Sequence, residues 1–151
     1  MVRRLTVDAL LDAVDLDLGV SDWLTITQDR IDLFADATGD HQWIHVDAER
    51  AASGPFGRTV AHGYLTLSLV PELFAGLLEL TDLTRGVNYG IERLRFTAPV
   101  LVDSSVRLAG TVLNARRKAD GAVEYRVALR VEIAGSERPA MVAESLFLAY
   151  A

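Results

Sequence analysis

The sequence contains no cysteine among its 151 residues. Disulfide bonds, thiolate catalysis and zinc sites built on cysteine are therefore excluded. It also lacks an uncharged apolar stretch of 18 residues, so no segment is predicted to span a membrane. Cationic residues are in the minority. The 15 lysines and arginines against 21 acids give a net charge of −6, which argues against a general binder of nucleic acid or of anionic membranes.

The N-terminal segment does not read as a secretory signal. Arg3 and Arg4 are followed by residues 7–14, where acids interrupt every apolar run. A cytoplasmic protein is therefore expected. The composition, 50% hydrophobic and 24% charged, is ordinary for a globular protein, and the length predicts one domain over residues 1–151.

The first third of the chain has the pattern of short helices. Thr27 is a predicted N-cap, and the apolar face that follows predicts a helix to about Thr38, ended by Gly39. The same reasoning predicts further short elements, which are a helix over 7–14 capped by Thr6, a strand over 23–26 and a helix over 48–52.

A long apolar segment over residues 62–80 predicts a buried helix, because a helix that is hydrophobic on nearly every side must be covered by protein. Pro71 is expected to kink this helix or divide it near Val70. The chain then changes to strand patterns over 87–96, 105–113, 123–133 and 141–150, with a hairpin turn at Asp120-Gly121. This order predicts an α+β fold in which an antiparallel sheet wraps around a long central helix.

The most distinctive stretch lies just beyond Gly39. It places Asp40, His41, Trp43 and His45 within six residues. Burying such a polar loop is unfavourable without a functional reason. We interpret Asp40 and His45 as an acid–base pair, since an imidazole titrates near neutral pH and a carboxylate can orient it. The alternative is that Asp40 only caps its own loop or the 47–52 helix, while His45 packs in the interior.

Three stretches resemble a known family. Residues 38–45, 54–57 and 60–63 are similar to the MaoC-like hotdog-fold dehydratases, and most similar to the single-hotdog (R)-specific enoyl-CoA hydratases of mycobacteria and relatives. The family motif reads small-Gly-Asp-x-Asn-Pro-aliphatic-His. Its matches here are Gly39, Asp40, Ile44 and His45. Gln42 and Trp43 stand where asparagine and proline are usual.

The resemblance implies a hotdog fold, a homodimer whose sheets join edge to edge, and an acyl-CoA thioester bound beside the central helix, without a cofactor. It also implies the reversible syn addition of water to a trans-2-enoyl-CoA, giving a (3R)-hydroxyacyl-CoA. Asp40 and His45 would share the reacting water. We take His45 as the principal base and Asp40 as the water holder, with the reversed division still open.

Gly63 is the third expected element of the site. A backbone N–H at the start of a helix suits an anion, so Gly63 is predicted to stabilise the thioester oxygen. The alternative is that Gly63 only permits close packing. Phe56, Tyr64 and Asn88 are expected to line the substrate pocket, with ordinary core packing as the other interpretation.

The remaining polar residues are assigned less specific roles. His41 is expected to face solvent or stabilise its loop, and His62 to cap or pack at the helix entrance. A metal site at Asp40 and the three histidines would require two of the imidazoles to converge, with no second carboxylate motif to help, and we predict none. The candidates for binding the coenzyme A phosphates are Arg58, Arg93, Arg95 and the 116–118 cluster.

Three rival functions remain open. The first is a dehydratase acting on carrier-protein-bound acyl thioesters. The second is a hotdog thioesterase, although the acids between Gly63 and Leu80 are only Glu72 and Glu79, and Glu72 follows Pro71. The third is a non-catalytic acyl-CoA-binding protein, which the complete Asp40/His45 pair argues against.

Overall fold

The computed structural model describes residues 2–151. Its helical segments are short, and they are a 3₁₀ helix (Asp8–Asp12), α1 (Gln28–Thr38), α2 (Trp43–Val46), α3 (Ala48–Ala52), α4 (Gly63–Ser68) and α5 (Val70–Phe74). The strands are β1 (Arg3–Leu5), β2 (Leu16–Val20), β3 (Leu24–Thr25), β4 (Leu78–Leu80), β5 (Arg85–Phe96), β6 (Ser105–Arg117), β7 (Val123–Ile133) and β8 (Met141–Tyr150). Among these helices none is long and apolar enough to cross a membrane.

The main sheet is antiparallel and has six strands in the order β2-β6-β7-β8-β5, with β3 pairing β6 beside β2. The hairpin between β6 and β7 turns at Gly121, whose φ of 90° is accessible to glycine without strain. Strand β5 lies at the edge opposite β2, so one side of its backbone has no partner strand in the single chain. The predicted α+β class and antiparallel sheet are confirmed.

The core forms between one face of the sheet and the apolar helices. On β7 the buried side chains alternate along Tyr125, Val127, Leu129 and Val131, because successive side chains point to opposite faces of a strand. From the central helical segment, Leu65, Leu69, Val70 and Leu73 pack into the same cluster. Leu108 on β6 is fully buried there.

The central helix is shorter than the sequence predicts. It is interrupted at Leu69, between α4 and α5, and Pro71 sits in the first turn of α5, where its missing N–H removes no helical hydrogen bond. The predicted division near Val70 is thus confirmed, but continuation to Leu80 is wrong. Residues 78–80 instead form β4, which pairs in parallel with β1.

The predicted start and end of α1 are confirmed. The Thr27 hydroxyl accepts the backbone N–H of Arg30 at 3.3 Å, and Gly39 ends the helix with a φ of 78°. Asp47 likewise caps α3 by accepting the Arg50 N–H at 3.0 Å. The segment expected as a helix over 7–14 is a 3₁₀ helix, with Thr6 accepting the Ala9 N–H at 3.2 Å.

Candidate active site

The loop after α1 and the short α2 bring the predicted pair together. Gly39 adopts a left-handed backbone conformation that ends α1, and Asp40 is the first residue of the loop beyond it. His45 is carried on α2 and is buried, with 7% exposure. One polar atom from each of Asp40, His45 and His62 lies within 4.8 Å of the others. The structure therefore places the carboxylate and the imidazole in one cluster, as the sequence predicted.

The tautomer of neutral His45 follows from its hydrogen bond. Its Nδ1 lies 2.6 Å from the Val60 carbonyl oxygen. A carbonyl only accepts, so Nδ1 must carry the proton and Nε2 the lone pair. The pKa of His45 is lowered chiefly by burial and also by the nearby His62, although the Val60 hydrogen bond and Asp40 oppose the change. His45 is thereby kept as a neutral base near neutral pH.

Asp40 is more open to solvent, with half of its side chain exposed. Its Oδ1 accepts the backbone N–H of Gln42 at 3.3 Å, which is the loop-capping contact considered as the alternative role. This bond leaves the other carboxylate oxygen available. Loop capping and a catalytic role are therefore compatible in the same side chain.

His62 lies deeper than either member of the pair, with 2% exposure. Its ring stacks on His45, with centroids 3.8 Å apart and planes 24° apart. Its Nε2 lies 2.9 Å from the backbone oxygen of Asp40. The expectation that His62 packs at the helix entrance is confirmed, but its side chain makes no capping bond to α4.

Two supporting residues went unrecognised in the sequence. The Gln28 amide donates to the His45 backbone oxygen at 2.8 Å, and it also accepts from the Thr59 hydroxyl at 2.6 Å. These two hydrogen bonds connect the first turn of α1 to α2 and to Thr59, which directly precedes the β-bridge between Val60 and Leu101. No local sequence pattern identifies such a glutamine, because its partners are distant in the chain.

Gly63 opens α4 and faces a cavity of about 290 Å³. Phe56 and Phe96 also line this cavity, whereas Asp40 and His45 are absent from its lining. A Cβ at Gly63 would lie 2.8 Å from the Phe96 ring, which is closer than real contacts allow. The packing role proposed as the alternative for Gly63 is therefore present, and it does not exclude the use of the backbone N–H.

The other predicted pocket residues lie in different places. Asn88 lines another cavity, of about 530 Å³, which is within the size range of small-molecule sites. Tyr64 is 67% exposed and contacts Phe96 edge-on at 6.0 Å, so it is neither a buried core residue nor part of the same cavity. The predicted burial of the central helix therefore does not extend to Tyr64.

Asp40, His45 and His62 each offer one possible metal ligand, and these atoms lie within 4.8 Å of one another. Two of the three imidazoles therefore converge, with their rings stacked, and no second carboxylate joins this cluster among residues 2–151. His41 lies outside the cluster. It is bonded to Asp36 at 2.8 Å, and this bond raises the pKa of His41.

The departure from the family motif has a local explanation. Gln42 precedes α2, and its carbonyl accepts the His45 N–H at 2.9 Å. Trp43 takes the first position of that helix, where proline is also well tolerated. The indole ring packs under Arg50 at 4.3 Å and against Gly54, where a Cβ would lie 3.0 Å away. Trp43 thus anchors α2 to the following segment.

Several known proteins are similar to this chain. Residues 11–133 match the family described as MaoC like domain. A 3-hydroxyacyl-thioester dehydratase Z of Mycobacterium tuberculosis (strain H37Rv) is 48% identical over 141 residues, 93% of each chain. Nodulation protein N of Rhizobium leguminosarum bv. viciae is 45% identical over 144 residues, 94% of this chain and 89% of that protein.

A solved structure of a known enzyme has a similar fold. The unliganded R-hydratase PhaJ1 from Pseudomonas aeruginosa superimposes with a TM-score of 0.72 and 26% identity, covering 90% of this chain and 81% of the other. The sheet, the short central helices and the likeness to this enzyme define a hotdog-fold hydro-lyase. The chain belongs to the MaoC-like dehydratase family.

Proposed function

We propose that this protein is an (R)-specific enoyl-CoA hydratase, and that residues 1–151 form one MaoC-like domain. The observation that carries the proposal is the approach of Asp40 and His45 to within 4.8 Å of each other, with the imidazole proton fixed on Nδ1. A carboxylate and a neutral imidazole at this separation can hold one water molecule between them. The relatives named as thioester dehydratases support the substrate class.

The reaction follows from the roles of these two groups. His45 Nε2 accepts a proton from water while the water oxygen forms a bond to the β-carbon of the enoyl thioester. The electron pair of the double bond moves toward the thioester carbonyl, giving an enolate. The proton then returns to the α-carbon on the same face, so that water has been added in total. Asp40 orients the water and assists the proton transfer.

Gly63 stabilises the enolate oxygen through its backbone N–H. This group lies at the first residue of α4, where the first N–H groups of a helix have no partner within it. The cavity beside Gly63 supports the proposal, since it leaves room for a thioester next to this amide. The ring of Phe96 packs against the glycine and fixes its position.

The acyl chain occupies the cavity of about 530 Å³ between the central helices and strands β5 and β8, where Asn88 lies. Phe56 borders the approach to Gly63. Phe96 also lines the cavity beside Gly63, and the ring of Tyr64 contacts the Phe96 ring. Tyr64 itself does not line that cavity in the single chain.

The phosphates of coenzyme A bind Arg58 and Arg95. Arg95 directly precedes Phe96, and Arg58 follows Phe56 by two positions. Both phenylalanines line the cavity beside Gly63. Four other candidates already pair with carboxylates. The pairs are Arg93 with Glu144, Arg116 and Lys118 with Glu124, and Arg117 with Asp8.

Two copies of the chain pair along β5 to form a homodimer. Its outer backbone edge has no partner strand, and such an edge invites pairing with another chain. Apolar side chains on this strand are also exposed in the single chain, namely Val87, Tyr89, Ile91 and Phe96. A second copy on this edge covers them.

The second candidate function differs in the direction of the reaction and in the carrier of the acyl group. The name of the mycobacterial relative favours dehydration of a 3-hydroxyacyl thioester, and the same residues catalyse both directions. A carrier protein could present the substrate in place of coenzyme A. A thioesterase is less favoured, because Glu72 is exposed and paired with Arg30 at 3.1 Å. A cytoplasmic location suits these substrates and remains a prediction.

The first test measures hydration of crotonyl-CoA through the loss of the enoyl-thioester absorbance. Asp40→Asn and His45→Gln are each expected to lower kcat by roughly 10²- to 10⁴-fold, because each removes a group that handles the proton. The product of the wild-type reaction should be the (3R) alcohol. Chiral analysis of the product checks the face of addition.

His41→Gln is the matched control. It changes an exposed histidine in the same loop that is bonded to Asp36, so wild-type turnover is expected. Circular dichroism establishes that each variant is folded. A wild-type rate in either Asp40→Asn or His45→Gln would refute the mechanism, and release of free coenzyme A without loss of the alkene would indicate a thioesterase.

A further inference from the structure

His62 is a buried polar side chain that the proposed reaction leaves without a task. Its Nε2 lies 2.9 Å from the Asp40 backbone oxygen, so this nitrogen carries the proton and donates it to that carbonyl. Its Nδ1 is buried and has no hydrogen-bond partner among residues 2–151.

The ring of His62 also contacts His45. The two rings stack at 3.8 Å and 24°, while Phe34 packs at 4.9 Å from the His62 centroid. The imidazole plane of His45 is thus fixed by two contacts, the Val60 hydrogen bond at Nδ1 and the His62 ring on its face. His62 consequently touches both members of the catalytic pair, one through its backbone and one through its side chain.

We propose that His62 is a positioning residue of the hydratase site, which sets the separation between the Asp40 carboxylate and the His45 imidazole through one hydrogen bond and one ring stack. The inference rests on the proposed function, since it assigns a role within that same site. Proton transfer requires a fixed separation between the carboxylate and the imidazole, and two contacts from one rigid ring hold this separation.

The charges around this pair set its response to pH. The groups that act on His45 are Asp40, whose Oδ2 is 4.0 Å from His62 Nε2, and His62 itself. The Asp36–His41 pair on α1 and the following loop is exposed to solvent. A positive charge on His62 lowers the pKa of His45, so two adjacent imidazolium ions are disfavoured.

Two variants separate the two contacts. His62→Gln retains an N–H donor near the place of Nε2 but loses the ring stack. His62→Phe retains an aromatic ring against His45 but loses the donor. We expect both to lower kcat for crotonyl-CoA hydration by about 10- to 100-fold while KM stays close to that of the wild type, because misplacing the catalytic groups affects the transition state more than binding.

The pH profile adds a readout that a merely structural role would not move. His45 must be neutral to accept a proton, so the acidic limb of kcat/KM reports its pKa. Replacing His62 by phenylalanine removes a neighbouring group that can be positive. The pKa of His45 should therefore rise, and the acidic limb should move to higher pH. An unmoved limb together with a wild-type kcat in both variants would overturn the proposal.

A measurement on the wild-type protein covers the case in which a variant fails to fold. The chain has only three histidines, so long-range ¹H–¹⁵N correlation spectra can assign each ring. We expect the Nε2–H tautomer for His62 and the Nδ1–H tautomer for His45. An Nδ1–H tautomer at His62 would contradict the proposed contacts.

These readouts distinguish the two proposals. A wild-type protein without hydration activity would refute the hydratase, while the tautomers would still decide the contacts of His62. Inactive Asp40→Asn and His45→Gln variants beside fully active His62 variants would leave the hydratase standing and remove the role of His62. His41→Gln again serves as the control and should retain both the rate and the pH profile.

Discussion

Gly63 combines two properties at one residue. Its missing side chain lets the Phe96 ring approach, since a Cβ would meet that ring at 2.8 Å. Its backbone N–H is the proposed donor to the enolate oxygen. A substitution by alanine alone tests only the first property, because alanine keeps the N–H and creates the clash. The two properties can be separated only when the clash is removed first.

The pair Gly63→Ala and Gly63→Pro, both in a Phe96→Ala background, makes this separation. Proline removes the N–H yet is well tolerated at the first position of a helix. His62 has φ −59° and ψ 138°, which is a conformation compatible with a following proline. We expect the proline variant to have a kcat roughly 10²- to 10³-fold below that of the alanine variant in hydration assays.

The alanine variant controls for the added carbon and for the lost Phe96 ring. Urea denaturation should give similar stabilities for both double variants. Equal kcat values for the two would show that the N–H of Gly63 contributes nothing to the reaction and would leave packing as its sole role.

The candidate pair could be found from the sequence because both residues lie in one short motif. Its surroundings could not. Gln28 reaches His45 across 17 positions, and His62 reaches the Asp40 backbone across 22. Such contacts depend on how α1, α2 and the segment before α4 pack together, which no local spacing encodes. His62 adjoins Gly63, but adjacency alone does not reveal its stack on His45.

At the scale of elements, α1 determines where the catalytic loop begins. Its last turn is closed by Gly39, whose N–H donates to the Ala35 carbonyl at 2.8 Å in a left-handed conformation with φ 78°. A Cβ at this position would contact nothing within 4 Å. Any effect of alanine there therefore arises from the backbone conformation and from no steric contact.

Gly39→Ala is expected to lower the free energy of unfolding by about 1 kcal/mol, because non-glycine residues are strained in the left-handed region. Gly39→Asn should be affected less, since asparagine adopts this conformation more readily. Urea denaturation of the three proteins measures the differences. Equal stability of the glycine and alanine forms would mean that this cap does not constrain the loop.

The elements with strong local patterns were predicted well. The bounds of β7 and β8 agree with the alternation and the flanking turns. Strands β1 and β4 were missed, because each has only three residues and they pair with each other from distant parts of the chain, Arg3 with Leu78. Strand β2 was also missed. It contains Asp17 and Gly19 at a bulge, and both residue types are rare in regular strands.

At the scale of the whole molecule, the outer face of the sheet and its β5 edge differ in chemistry. The outer face of the sheet carries ion pairs, among them Arg126 with Glu92 and Glu144, and Arg107 with Glu132. These pairs are partly buried, and they place charged side chains on that face of the sheet. Strand β5 carries four exposed large apolar side chains, more than any other helix or strand, which favours the proposed dimer contact at this edge of the sheet.

Ile91→Lys tests this contact. Ile91 is 44% exposed on β5, and a lysine there would place two like charges near each other across a paired edge. We expect the wild-type protein to sediment as a dimer and the variant as a monomer in sedimentation velocity. Leu33→Lys is the matched control, because Leu33 is 70% exposed on α1 and away from β5 in the fold. A wild-type monomer, or an Ile91→Lys dimer as tight as the wild type, would remove β5 as the interface.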